Sequence, residues 1–168
     1  MITGKSLMGK PIIGQEDGAH VGNVHDLIFD HDTDEVVSLV LYNKDLFGLI
    51  DAVIVPWRNV LNIGEAVILV PNAGAKMKLK DDPRSRDLSK RETALSGTQV
   101  LSTDGQKLGT LADMCLDEKT GKVVGYEVSG GFISDTLHGK KFVPAPPGLA
   151  IGDNAAIAPP QAAAELKK

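Results

Sequence analysis

The chain has 168 residues, 42% hydrophobic and 24% charged, the balance of a globular protein that buries a core and not of a disordered one. Its net charge of −4 at pH 7 argues against a general nucleic-acid binder, which needs a clustered basic surface. No apolar run approaches the roughly 18–20 residues of a spanning helix, the N-terminus lacks the hydrophobic segment of a secretion signal, and a lone cysteine, Cys115, forms no internal disulfide, so a cytoplasmic location without a membrane span is expected.

In chain order, short apolar clusters stand at Pro11 to Ile13, Val21 to Phe29, Val36 to Tyr42, Val53 to Val55 and Ala66 to Val70. Each is bounded by Gly, Pro, Asp or Asn, and Val37, Leu39 and Leu41 alternate with period two, which are strand signals. The pattern then breaks. Residues 73–96 hold seven basic and four acidic side chains and read as a charged, solvated linker, in which Pro83 stops any earlier helix and residues 85–94 have room for a short polar one. Strand signals resume at Val100-Leu101, Leu108 to Leu116, Val123 to Val128, Phe142-Val143 and Ala155 to Ala158. Only 4% of residues are aromatic, so the cores must be aliphatic.

The two halves repeat. Moving Asp17-Gly18 onto Asp104-Gly105 also aligns Gly22 with Gly109, Asp26 with Asp113, Asp30 with Asp117, Thr33 with Thr120 and Val36-Val37 with Val123-Val124. After one extra residue in the second copy, Val55-Pro56 meets Val143-Pro144 and Ile63-Gly64 meets Ile151-Gly152. Two units are too few for a solenoid, so each copy is expected to be its own small domain. The boundaries fall at 1–72 for the first, 73–96 for the linker, 97–160 for the second and 161–168 for a C-terminal tail. Five or six short strands per copy suggest a small barrel. The Asp-Gly pairs suit a tight turn that needs positive φ, and Gly22 and Gly109 suit bulges.

The pattern Asp-Gly-x-x-x-Gly-x-x-x-Asp-x-x-x-Asp, then Val-Val, Val-Pro and Ile-Gly, resembles the PRC-barrel domain, present twice. The second copy's Gly125 to Gly131 and Phe142 to Ala145 are similar to stand-alone bacterial tandem PRC-barrel proteins. The family includes the cytoplasmic domain of the photosynthetic reaction-centre H subunit and the C-terminal domain of RimM-type ribosome-maturation factors. The resemblance implies an all-β fold of two six-stranded barrels in tandem, joined by a charged linker. It also implies a non-enzymatic adaptor or assembly role with a protein partner, self-association being open. It implies no catalytic residues and no cofactor. The chain lacks the H subunit's N-terminal membrane helix and the RimM N-terminal domain, so neither of those roles carries over.

The residues that imitate chemistry have plainer readings. Asp30, Asp32 and Asp34 space like the start of a calcium loop, but Glu35 and Leu41 stand where that loop needs Gly and Glu, so a hairpin turn is expected. His20, His25 and His31 have no histidine counterparts in the second copy, and no metal is assigned. Cys115 sits in an apolar strand and reads as packing. Trp57 and Arg58 follow Val55-Pro56, and Trp and Arg are enriched at binding hot spots. The copies differ most over 43–51 and 130–140. Trp57, Arg58, Phe47, Phe132 and His138 are therefore the candidate partner-binding residues. Two other readings stay open: an enzyme or small-ligand protein with a site between the barrels, and a peripheral membrane protein held on anionic lipid by the basic linker.

Overall fold

A computed structural model describes residues 1–41, 52–91, 96–130 and 139–168. It is mainly β and divides into two compact units, one built on Ile2–Arg91 and the other on most of the chain after residue 96.

The first unit opens with β1 (Ile2–Thr3) and the single turn of α1 (Gly4–Leu7), capped by the Thr3 hydroxyl. Its sheet comprises β2 (Pro11–Gly14), β3 (His20–Asp30), β4 (Glu35–Leu41), β5 (Val53–Pro56), β6 (Asn62–Ile63), β7 (Ile68–Val70) and β8 (Met77–Lys78). Their order in space is β6-β7-β2-β3-β4-β5-β8, with only β2 and β7 parallel. The second unit has β9 (Gln99–Ser102), β10 (Lys107–Leu116), β11 (Val123–Ser129), β12 (Lys140–Pro144), β13 (Ala150–Ile151) and β14 (Ala156–Ala158). They run β13-β14-β9-β10-β11-β12, again with one parallel pair, β9 with β14. Strand for strand this is the first order without β8.

The duplication extends to the irregularities. Register slips fall next to Gly22 and Gly109, as the interrupted strands predict. Two further slips recur, one between Val24 and Asp26 and between Leu111 and Asp113, the other between Ile28 and Phe29 and between Cys115 and Leu116. Each slip adds twist, which a long strand needs to curl round a small core. At the shared bulge, Asp26 accepts the Leu27 N–H and Asp113 the Met114 N–H, both at 2.8 Å. These aspartates recur because a bulge frees a backbone donor that a carboxylate one residue back can satisfy. Gly18 and Gly105 have φ of +63° and +84°, the turn conformation that costs a side chain most.

Both cores are aliphatic, as the composition predicts: Ile12, Leu39, Val55, Ile68 and Val70 in the first unit and Val100, Leu116, Val143, Ala156 and Ala158 in the second are fully buried. Tyr126, also fully buried, replaces Leu39 at the centre of the second.

The charged segment after residue 72 packs on the first unit. Ala73–Ala75 and Leu79–Asp81 form 3₁₀ turns either side of β8, which adds to the edge of β5. Helix α2 (Pro83–Ser89) follows, with Ser85 fully buried. Pro83 begins this helix, and the 3₁₀ turn before it ends at Asp81. The missing proline N–H falls where a helix has no acceptor to offer, and Asp82 caps the turn by accepting the Ser85 N–H at 3.3 Å. At the other end of the chain, the tail forms α3 (Pro160–Lys167), which buries Ala162, Ala163 and Leu166.

Candidate functional site

A cluster of interacting polar side chains lies on the first unit, where β4, β5 and α2 meet. The chain leaves β5 through Pro56 into a 3₁₀ turn, Trp57–Asn59. Trp57 is buried at 7% exposure, and its indole Nε1 is enclosed without a hydrogen-bond partner. The Arg58 side chain is 64% exposed, with Nη2 3.7 Å from Asp82 Oδ1 and 3.9 Å from Met77 Sδ. Thus the sequence-predicted pair splits, Trp57 inward and Arg58 outward. Together with Glu35, Val36, Asp82 and Arg84 they line an open groove.

Beneath the groove, polar groups satisfy one another. Arg84 Nη2 donates to Asp30 Oδ2 at 2.8 Å, Glu35 Oε1 at 2.6 Å and Thr33 Oγ1 at 3.1 Å. Burial pushes the Asp30 carboxyl up, but the Arg84 hydrogen bond, the Asp32 N–H and the guanidinium charge outweigh it and hold Asp30 below the ordinary carboxylate range. The same two carboxylates raise Arg84. Ser85 Oγ donates to Asp82 Oδ2 and lies 2.7 Å from Ser38 Oγ, a hydroxyl pair wholly inside the protein.

Asp30 and its neighbours form a hairpin turn between β3 and β4, as expected, with Asp34 at φ +51°. In the second copy Asp117 Oδ1 accepts the Lys119 and Thr120 N–H groups, both at 2.9 Å, which holds its carboxyl low. Among the described residues no cluster of three metal-ligating side chains occurs. His20 bonds Asn23 Oδ1 at 2.8 Å, and His31 sits edge-on to Phe29 with ring centres 5.0 Å apart. Cys115 is buried, and desolvation together with the charges of Glu127 and Asp113 pushes its thiol up, away from a nucleophilic thiolate.

Several basic side chains of the 73–91 segment have acidic partners within the first unit. Besides Arg84, Arg86 meets Asp87 at 3.1 Å and Arg91 meets Asp32 at 3.9 Å. Phe47, Phe132 and His138 lie outside the described residues.

Sequence reasoning did not single out the Arg84 cluster or the Ser38 to Ser85 bond. No local motif marks them, because their partners stand 47 to 54 residues away along the chain. Nor did it single out Phe142 on β12, which is 46% exposed. The repeat does supply a signal there, since Phe142 aligns with Ile54.

Comparison with known proteins agrees with the architecture. The PRC-barrel domain profile matches residues 1–76 and again 91–164. Over 74 residues the chain is 28% identical to a Bacillus subtilis protein named "Probable sporulation protein YlmC", a match that covers 42% of this chain and 91% of that protein. The matched stretch is about as long as one copy of the repeat. The chain belongs to the PRC-barrel family and carries the domain twice.

Proposed function

We propose that this protein is a non-enzymatic adaptor that holds a protein partner on its PRC-barrel surfaces, inside the cell. The observation that carries this reading is how the polar groups of the groove are used. Arg84 is bonded to Asp30, Thr33 and Glu35, and Asp82 is engaged by Ser85 and Arg58. A general acid or base needs a proton-transfer group tuned near the working pH and free to meet substrate, whereas here the carboxylates are bonded to fixed partners within the protein. Cys115, the one thiol, is enclosed and pushed toward its neutral form. Among the groups the groove presents outward is Arg58, on the rim beside an enclosed tryptophan, an arrangement suited to recognition.

Affinity capture on the full chain from its native cell tests the reading. The expected result is a defined protein recovered by the wild type and depleted several-fold by Arg58→Glu, with Trp57 fluorescence showing the variant folded. Recovery of nothing above a bead control would overturn the adaptor role.

A further inference from the structure

The two copies differ at one strand edge in a way that points to a docking site. In the first unit β8 adds antiparallel to β5, with Met77 opposite Ile54 and Lys78 opposite Val53. The Leu79 N–H donates to the Ala52 carbonyl at 2.7 Å, so Ala52 and Ile54 turn their backbone groups toward the added strand. The side chain of Ile54 shares the outer sheet face with Ser38, which is bonded to Ser85 of α2. Ile54 is completely buried.

In the second unit Phe142 replaces Ile54 and Lys140 replaces Ala52. The Ala145 N–H donates to the Val124 carbonyl at 2.9 Å, and the β11 register is unbroken from Gly125 to Ser129. That phase directs the N–H and C=O of Lys140 and Phe142 away from β11. Among the described residues no strand lies on that side: β12 ends the sheet. The Phe142 ring is 46% exposed and lies over Gly125, where a Cβ would overlap it. An apolar ring above a free row of backbone donors and acceptors is a ready template for an added strand.

The charges specify the strand. On β8, Lys78 stands opposite the uncharged Val53 and Leu79 opposite Ala52; β12 presents Lys141 and Lys140 at those positions, so that Lys78 of such a strand would face Lys141. A strand like β8 would therefore meet like charges. A second copy of β12, paired antiparallel about Phe142, would set Lys140 against Pro144 and bring no acid to either lysine. We propose that the free edge of β12 takes an extended segment of an acidic partner protein, with a large apolar residue at the place of Met77 and a carboxylate two residues later facing Lys140. This rests on the adaptor reading and names its surface. Lys140 already reaches Glu127 at 3.1 Å across the same face, so the arriving acid would join an existing pair beside the ring.

Two synthetic peptides test it on the full-length, isotope-labelled chain: residues 73–82 unaltered, and the same peptide with Lys78→Glu and Leu79→Glu. The acidic peptide is expected to shift the amide signals of Lys140 and Phe142 and to slow hydrogen exchange at the Phe142 N–H, while the basic peptide does neither. Phe142→Pro removes the ring and the outward N–H together while sparing the bonds to β11, at a position where an edge strand tolerates proline, and should abolish binding. Lys140→Glu should weaken the acidic peptide by about tenfold and strengthen the basic one. The site is overturned if no β12 amide responds at about 1 mM peptide, if both peptides act alike, or if Phe142→Pro binds as well as wild type. Concentration-dependent shifts at Phe142 without peptide would instead identify a second copy as the occupant, and would also overturn the proposal. Should the site fail while the native partner is still captured, the adaptor role stands and this edge is excluded. Should capture itself fail, the role falls independently.

Discussion

Ile54 and Phe142 occupy the same place in two copies of one scaffold, yet the first is sealed and the second is 46% exposed. The strands around them pair alike and carry the same bulges. What differs is the chain that follows. After the first copy it returns as β8 and α2 and covers the β4–β5 face; after the second it forms α3, from which the Leu166 carbonyl accepts a hydrogen bond from Lys141 at 2.8 Å. α3 does not extend the sheet. The lesson is that a duplicated domain need not duplicate its surface. A short covering segment converts a sheet edge from a binding template into core, and its absence leaves the template available.

The contrast can be broken most strongly at its buried end. Ile54→Ala should destabilise the first unit by about 2–4 kcal/mol, the usual cost of emptying an enclosed aliphatic site. Trp57, the only tryptophan, lies next to β5, so urea unfolding followed by its fluorescence should show an earlier midpoint.

Removing the anchor of the cover comes next. Asp82→Ala takes away the α2 cap and the acceptor for Ser85, and should cost about 1–2 kcal/mol. Hydrogen exchange should accelerate in α2 and at the β5–β8 edge and leave β12 unchanged.

Acid sharpens the comparison more gently. Asp30 titrates lower in the folded chain than in the unfolded one, so the unfolded chain binds protons first as the pH falls. The resulting stabilisation is complete above the ordinary carboxylate range, about pH 4, and is lost as pH drops through the depressed folded value. Arg84→Met should flatten this part of the first unit's pH profile. Its effect at pH 7 should be below about 1 kcal/mol, because the guanidinium is half exposed and screened. Denaturation midpoints between pH 2 and pH 7 measure both.

The smallest effect belongs to Phe142. Phe142→Ser should change the stability of the second unit by less than about 0.5 kcal/mol, since the ring gives up little enclosed contact. Far-ultraviolet circular dichroism during thermal unfolding checks it. A loss comparable to that of Ile54→Ala would mean that the two faces are equally sealed.

Much of this architecture was legible in the residues alone. The repeat of Asp-Gly, Gly and Asp at matched spacing announced two domains, because turns and bulges impose local conformational demands that only a few residue types meet. Leu39 and Leu41 announced the inward face of β4, since period two is a property of the strand itself, but Val37 does not follow it, because the register slips there and Val36 is the residue that is buried. The site was harder to read. Trp57 was singled out by residue type, but whether it faced a partner or the core depended on the turn after Pro56. Arg84, in a stretch that reads as solvated linker, closes on Asp30 and Glu35 only after the chain folds back. Pro83, a stop signal on its own, became a helix start once Asp82 stood in the cap position.

The sequence by itself determined the duplication, the aliphatic cores, the turns and the family, all of which rest on short-range patterns. Only the tertiary structure decided that the charged segment closes the face of one barrel while the equivalent face of the other keeps Phe142 exposed on an edge that no strand among the described residues pairs. Closure of that kind depends on contacts between residues far apart in the chain. Their energy is set by which surfaces meet, and no local spacing encodes that.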